Sequence, residues 1–195
     1  MRTAGVILAG GRSTRMGGRN KALVEIDGTT LLQYVLDRFS PQVDTVAINS
    51  NVPMPGQNLP VLRDATATFD GPLAGILAGL NWARSQGFDR LATVAVDTPF
   101  FPADLVHRLG AADPIRIALA RSGMRNHPVF AMWPVAAGEK LHDFLKRGET
   151  RRVMSFLESY GYETVDFPAD PFDPFFNVNT PEDLLKATEI HRALI

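Results

Sequence analysis

The chain has 195 residues, enough for one domain with a real core, and its 45% hydrophobic and 21% charged content is ordinary globular usage. A formal net charge of −1 excludes the basic excess that a nucleic-acid surface needs, and the absence of cysteine excludes disulfides, Fe–S ligation, thiolate zinc sites and cysteine nucleophiles. No apolar run reaches membrane-spanning length, and the run behind the N-terminal Met is too short for a secretory signal, so a cytoplasmic protein without a membrane partner is expected.

In chain order, strand and helix patterns alternate. Gly5 to Ala9 reads as a buried strand, stopping abruptly at Gly10-Gly11. A polar loop follows with Arg12, Arg15, Arg19 and Lys21 and no acid before Glu25. Thr30 to Phe39 reads as a helix with Leu31, Leu32, Val35, Leu36 and Phe39 on one face. Val43 to Asn49 is β-rich, and Val61-Leu62 is a short strand ending at Arg63-Asp64. In "DGPLAGILAGLNWA", Asp70 or Gly71 caps a helix, Pro72 suits its first position, and Gly75 and Gly79 allow a close neighbour. Leu91 to Val96 is the next buried strand, ending at Asp97-Thr98-Pro99, and Pro102 opens a short helix.

Ile115 to Ala120 and Pro128 to Trp133 are β-rich runs joined by the polar turn "RSGMRNH", a hairpin that makes at least one strand antiparallel. Pro134 to Lys146 and Arg151 to Tyr160 read as helices, and Glu163 to Phe167 as a last strand. "DFPADPFDPFFNVN" is a Pro- and Phe-rich packed loop, and Thr180 caps a terminal helix with Pro181 in its first turn. The expected architecture is a single α/β domain over residues 1–195 with a mostly parallel sheet. Ligands of such sheets sit beyond the carboxyl ends of the strands.

Each strand end therefore matters. After the first, glycines let backbone N–H groups approach phosphate oxygens, and Arg15 and Lys21 supply positive charge. The spacing matches neither the Walker loop nor GxGxxG, and a solvated loop is an equal alternative. Asn49-Ser50-Asn51 offers amides for a base or ribose, or forms a turn. Asp64 is a ribose or base contact, or a surface acid. Asp97 is placed to hold Mg²⁺, or caps the segment near Pro102. Asn177 and Asn179 flank Val178 and share a face, serving either a ligand or their own loop. Arg151 and Arg152 stand at a helix start, where cations oppose the dipole unless an anion is near. His127, before Pro128, reads as structural, and no hydrolase motif is evident.

Taken together, "LAGGRSTRMGGRNK", "DGPLAGI", "DTPFFP", "HPVFAMWP", "TRRVMSF" and "FFNVNTPEDL" resemble the molybdenum cofactor guanylyltransferase (MobA) family over nearly the whole chain. The first block is shared with many nucleotidyltransferases, and the last two narrow the resemblance. It implies a Rossmann-like, GT-A-like nucleotidyltransferase fold. It implies transfer of GMP from GTP·Mg²⁺ to the terminal phosphate of molybdopterin, with release of pyrophosphate. Carried over, Leu8, Ala9, Gly10, Lys21, Asn49 and Asp64 contact GTP, and Asp97 is the Mg²⁺ ligand beside the nucleotide. Arg15, Gly18, Asn177 and Asn179 match further active-site positions, and the asparagines with Arg151 and Arg152 fall on the pterin side. The resemblance also implies transient contacts with proteins that insert molybdenum or accept the product.

Two positions depart from the pattern: Asn20 stands where the family has Asp before the lysine, and Ala95-Val96 stand where Pro-Cys is frequent. Phosphoryl-type transfer needs positioning and charge neutralisation rather than a protein nucleophile, and the acceptor phosphate is itself ionised near neutral pH. Competing readings are a CTP-dependent cytidylyltransferase of the same pterin, a sugar-phosphate nucleotidyltransferase, and a nucleotide-binding carrier without turnover.

Overall fold

The computed structural model describes residues 1–10, 20–54, 58–64, 71–148 and 150–194. Its centre is a seven-stranded sheet built from β1 (Thr3–Leu8), β4 (Thr45–Asn49), β5 (Val61–Leu62), β6 (Arg90–Ala95), β7 (Ile117–Ser122), β8 (Arg125–Pro134) and β9 (Tyr162–Phe167). The order is β5-β4-β1-β6-β8-β7-β9. β8 pairs antiparallel with both β6 and β7, while the other pairings are parallel. The expected antiparallel hairpin is therefore β7–β8, and β8 alone runs against the sheet. A separate two-stranded ribbon, β2 (Glu25–Ile26) with β3 (Thr29–Thr30), follows the short 3₁₀ turn at Lys21–Leu23.

The inner strands are apolar on both faces because helices cover both. On one face, Ile7, Val46, Ile48 and Val94 meet α1 (Leu31–Phe39) and α3 (Leu105–Gly110). On the other, Val6, Leu8, Ala47 and Leu91 meet α2 (Pro72–Ser85), α4 (Ala137–Arg147) and α5 (Val153–Tyr160). A third cluster joins Ile26, Leu31, Phe100 and Val178 to α6 (Pro181–Leu194). The parallel strands send their carboxyl ends to one edge.

Several expected boundaries move. The helix placed at Pro102 begins at Leu105, after a turn in which the Leu105 N–H donates to Pro102 O. The β7–β8 turn shrinks to Gly123-Met124, because Arg121 and Ser122 pair with Asn126 and Arg125 in the ladder. Pro134 closes β8 rather than opening a helix.

Candidate functional site

Four adjacent strands, β5, β4, β1 and β6, deliver Asp64, Asn49, Leu8-Ala9-Gly10 and Asp97 to the same carboxyl edge. Adjacency in the sheet thus gathers residues that are up to 89 positions apart in the chain (Leu8 to Asp97).

At the β4–β5 end, Asn49 Nδ2 donates to Asp64 Oδ1 at 3.0 Å and to Leu62 O at 3.1 Å. Asn51 and Asp64 pair twice: Asn51 Nδ2 donates to Asp64 Oδ2 at 2.7 Å, and the Asp64 N–H donates to Asn51 Oδ1 at 3.0 Å. The Ala9 N–H donates to Asn49 O at 2.9 Å, tying the glycine turn to this strand. Asn49 Oδ1 fills the space beside Gly75 of α2, where a Cβ would stand 2.1 Å away, and it lies 3.4 Å from a Cβ built on Gly10. Gly75 is thus small because an amide occupies its side-chain volume.

At the β6 end, Lys21 Nζ donates to Asp97 Oδ2 at 2.9 Å and to Asn179 Oδ1. Both charged side chains are about one-fifth exposed, at 21%. The Lys21 backbone is set by Asn20, whose Oδ1 caps the 3₁₀ turn by accepting from the Ala22 N–H at 3.1 Å. Asn20 Nδ2 donates to Met54 Sδ at 3.5 Å. The cap needs an acceptor and not a charge, so Asn20 serves it as well as the Asp that the resemblance leads one to expect there. Asp97 caps no helix, since α3 starts eight positions later with Asp104 in the capping place.

The segment before α6 runs across this end. Thr98, fully buried, donates to Asn177 Oδ1 at 2.6 Å, and the Val178 N–H donates to Asp97 O at 2.8 Å. Asp183 accepts from the backbone N–H groups of Asn179 and Thr180, both at 2.9 Å, and its own N–H donates to Thr180 Oγ1 at 3.1 Å. This reciprocal cap confirms the terminal helix start and fixes Asn179. The Asn179 N–H is also the main influence holding the Asp183 carboxyl below its usual range, with Thr180 adding to it against partial desolvation.

Other expected residues lie apart or outside. Arg15 and Gly18 fall outside the described residues. Arg151 and Arg152 are exposed at the start of α5, with the Arg152 N–H donating to Thr150 Oγ1 at 3.3 Å. Helix α5 belongs to the α2–α4 face of the sheet, whereas Phe175 packs with the α1–α3 face. Asn51 is among the amides expected at the β4 end, and the close neighbour expected at Gly75 is the Asn49 amide. Thr98 and Asp183 carry no sequence signal for a site role beyond lying next to Asp97 and in the first turn of a helix.

The arrangement provides one ammonium, the two carboxylates of Asp64 and Asp97 and several amide oxygens at the carboxyl edge, and the described groups hold no nucleophile with a partnered base there. Such a set suits orientation and charge neutralisation of a polyphosphate.

Comparison with known proteins agrees. The family model for a MobA-like NTP transferase domain matches residues 5–163. A molybdenum cofactor guanylyltransferase of Cereibacter sphaeroides is 45% identical, over 98% of this chain and 98% of its own. One from Mesorhizobium japonicum is 42% identical, over 98% and 97%. The crystal structure of molybdopterin-guanine dinucleotide biosynthesis protein A from Archaeoglobus fulgidus superposes with a TM-score of 0.77 at 25% identity, covering 98% of this chain and 99% of that one.

Proposed function

The chain belongs to the MobA-like NTP transferase family, and from that premise we propose that it transfers GMP from GTP to the terminal phosphate of molybdopterin. The products are the guanine dinucleotide form of the cofactor and pyrophosphate. An oxygen of the molybdopterin phosphate attacks the α-phosphorus of GTP, and the bond from that phosphorus to the oxygen bridging to the β-phosphate breaks. Pyrophosphate carries the electron pair away. No protein base is needed, because the attacking phosphate is already ionised.

The single observation that carries this reading is the junction of Lys21, Asp97 and Asn179 beside the glycine turn of β1. In the proposed complex, the backbone of Leu8, Ala9 and Gly10 lies along the nucleotide, with Asn49 and Asp64 toward its base and ribose. Lys21 neutralises charge on the phosphates. Arg15 and Gly18, outside the described residues, are proposed to belong to the same nucleotide site. Asn177 and Asn179 face the pterin side, and Arg151 and Arg152 form its outer rim.

Magnesium is part of the proposal. Among the described residues no three His, Asp or Glu side chains converge, so a cation held by protein alone is not expected. Magnesium takes one or two carboxylates beside substrate phosphates and water. The donor set fits it: Asp97 and Asn179 already offer their oxygens to one cation, the Lys21 ammonium. Bound there, the ion would offset the repulsion between two phosphate-bearing substrates. No helix among the described residues is long and apolar enough to cross a membrane. We place the reaction in the cytoplasm, with transient hand-over contacts to proteins that insert molybdenum or accept the finished cofactor.

The test is turnover of labelled GTP with molybdopterin by wild-type and Asp97→Asn protein. Asp97→Asn should fold with near-normal stability and lose nearly all transfer, with the remainder needing more Mg²⁺. Full activity at ordinary Mg²⁺ would remove Asp97 from the site.

A further inference from the structure

Ser122, His127 and Asp173 form a polar cluster that the transfer chemistry leaves without a role. Ser122 is 4% and His127 6% exposed. Ser122 Oγ lies 2.6 Å from His127 Nε2 and donates to Asp173 Oδ1 at 2.9 Å. A hydroxyl has one proton and an ionised carboxylate only accepts, so the proton on His127 is at Nε2 and is donated to Ser122. This is no nucleophile: the serine is buried, and its proton goes to the carboxylate rather than to the imidazole.

The cluster instead joins the sheet to the segment between β9 and α6. Asp173 Oδ1 also accepts from the Phe175 N–H at 2.9 Å. The Phe175 ring stacks on the His127 ring at 4.4 Å and meets Phe130 and Phe167 edge-on at 5.0 and 5.5 Å. Beyond Phe175 the chain runs directly into Asn177 on Thr98, Val178 on the Asp97 carbonyl and Asn179 on Lys21. Asn179 lies four positions after Phe175, a span of about 13 Å if extended. A shift at Phe175 therefore has little slack in which to dissipate.

We propose that Ser122, His127 and Asp173 are positioning residues for guanylyl transfer: they latch the segment 168–179 to the β7–β8 hairpin and thereby set Asn179 against Lys21 and Asp97. The proposal rests on the reading of the site given above. The latch acts on the acceptor and phosphate side and not on the base side, because Asn49 and Asp64 are held by β4 and β5 through their own hydrogen bonds.

The experiment uses the full chain as Ser122→Ala, His127→Phe and His127→Gln, alone and with Asn179→Ala. GTP affinity without acceptor, transfer kinetics and amide hydrogen exchange are measured for each. GTP affinity should stay within about threefold while kcat falls about ten- to a hundredfold, the scale expected for a misplacement of about 1 Å. Exchange at the Val178 amide should quicken while β1 amides keep their protection. His127→Gln, which keeps a donor near Nε2, should recover most of the loss. In the Asn179→Ala background, His127→Phe should cost nothing further, because both act through one contact.

Wild-type kcat in Ser122→Ala, unchanged Val178 protection, or losses that multiply with Asn179→Ala would each overturn the latch. If His127→Phe does not fold, Ser122→Ala, which removes one oxygen, decides the matter. If the wild-type chain transfers no GMP, the functional reading fails, and the exchange measurement still judges the latch.

Discussion

Lys21 is the residue on which most of the site converges, since its ammonium bridges Asp97 of β6 and Asn179 before α6. Lys21→Ala should lower GTP turnover about a hundredfold or more, the usual cost of removing one charged contact from a reacting phosphoryl group. Steady-state kinetics checks this, and near-wild-type turnover would mean a merely solvated loop. Asn20→Asp should be mild, within about threefold in turnover, because the cap at Ala22 needs only an acceptor. Gly75→Ala tests the other half of the site. Its Cβ would stand 2.1 Å from Asn49 Oδ1, so the amide must leave its place. GTP affinity by calorimetry should weaken about tenfold, a loss of one well-placed polar contact. Gly79→Ala, whose Cβ would meet only Leu91 and Val6 at 3.0 Å, should cost stability and leave GTP affinity alone.

Elements explain what the residues alone do not. The terminal helix is held by Thr180 and Asp183, and Thr180→Ala should cost about 1 kcal/mol, or roughly 2–4 °C in Tm for a chain of this size. Differential scanning calorimetry reads that shift. The hairpin carries a pH dependence. Burial pushes the His127 imidazole below its usual value, with the Arg125 charge in the same direction and Asp173 opposing them. The folded form therefore holds a neutral ring, and the unfolded chain takes up the proton first. Stability should be full above about pH 6.5 and fall as pH drops toward the lower folded value. His127→Gln should flatten that limb in denaturant titrations at stepped pH. Much of this frame was legible beforehand. Apolar runs ending at Gly10, Asn49, Asp64 and Asp97 gave both the strands and the edge where ligands sit. The β2–β3 ribbon was not, because strands of two residues show no periodicity. The Lys21–Asn179 contact spans 158 positions and leaves no local pattern. The hairpin turn is shorter than its polar run suggests, because Arg121 and Arg125 resemble loop residues, yet Arg121 is in the ladder and forks onto Asp166 of β9.

At the scale of the molecule, the proposed reaction brings two phosphate-bearing substrates to a chain of net charge −1, so positive charge must be supplied locally rather than by the total. Arg12, Arg15, Arg19 and Lys21 all fall within one stretch after β1. Binding should stabilise the fold by mass action, with GTP at a hundred times its Kd adding about 2.7 kcal/mol. In thermal unfolding, GTP should raise Tm well beyond CTP at equal concentration, and equal shifts would point to recognition of the phosphates alone. The central claim is that this chain makes a guanine dinucleotide from molybdopterin. Its most direct test mixes the full chain, molybdopterin and Mg²⁺ with equal GTP and CTP and identifies the dinucleotide by mass. Molybdopterin guanine dinucleotide should form with one pyrophosphate per transfer and with GTP favoured at least about a hundredfold, the scale that hydrogen-bond readout of a base supports. A cytosine dinucleotide formed at an equal or greater rate, or GTP bound without any transfer, would contradict it.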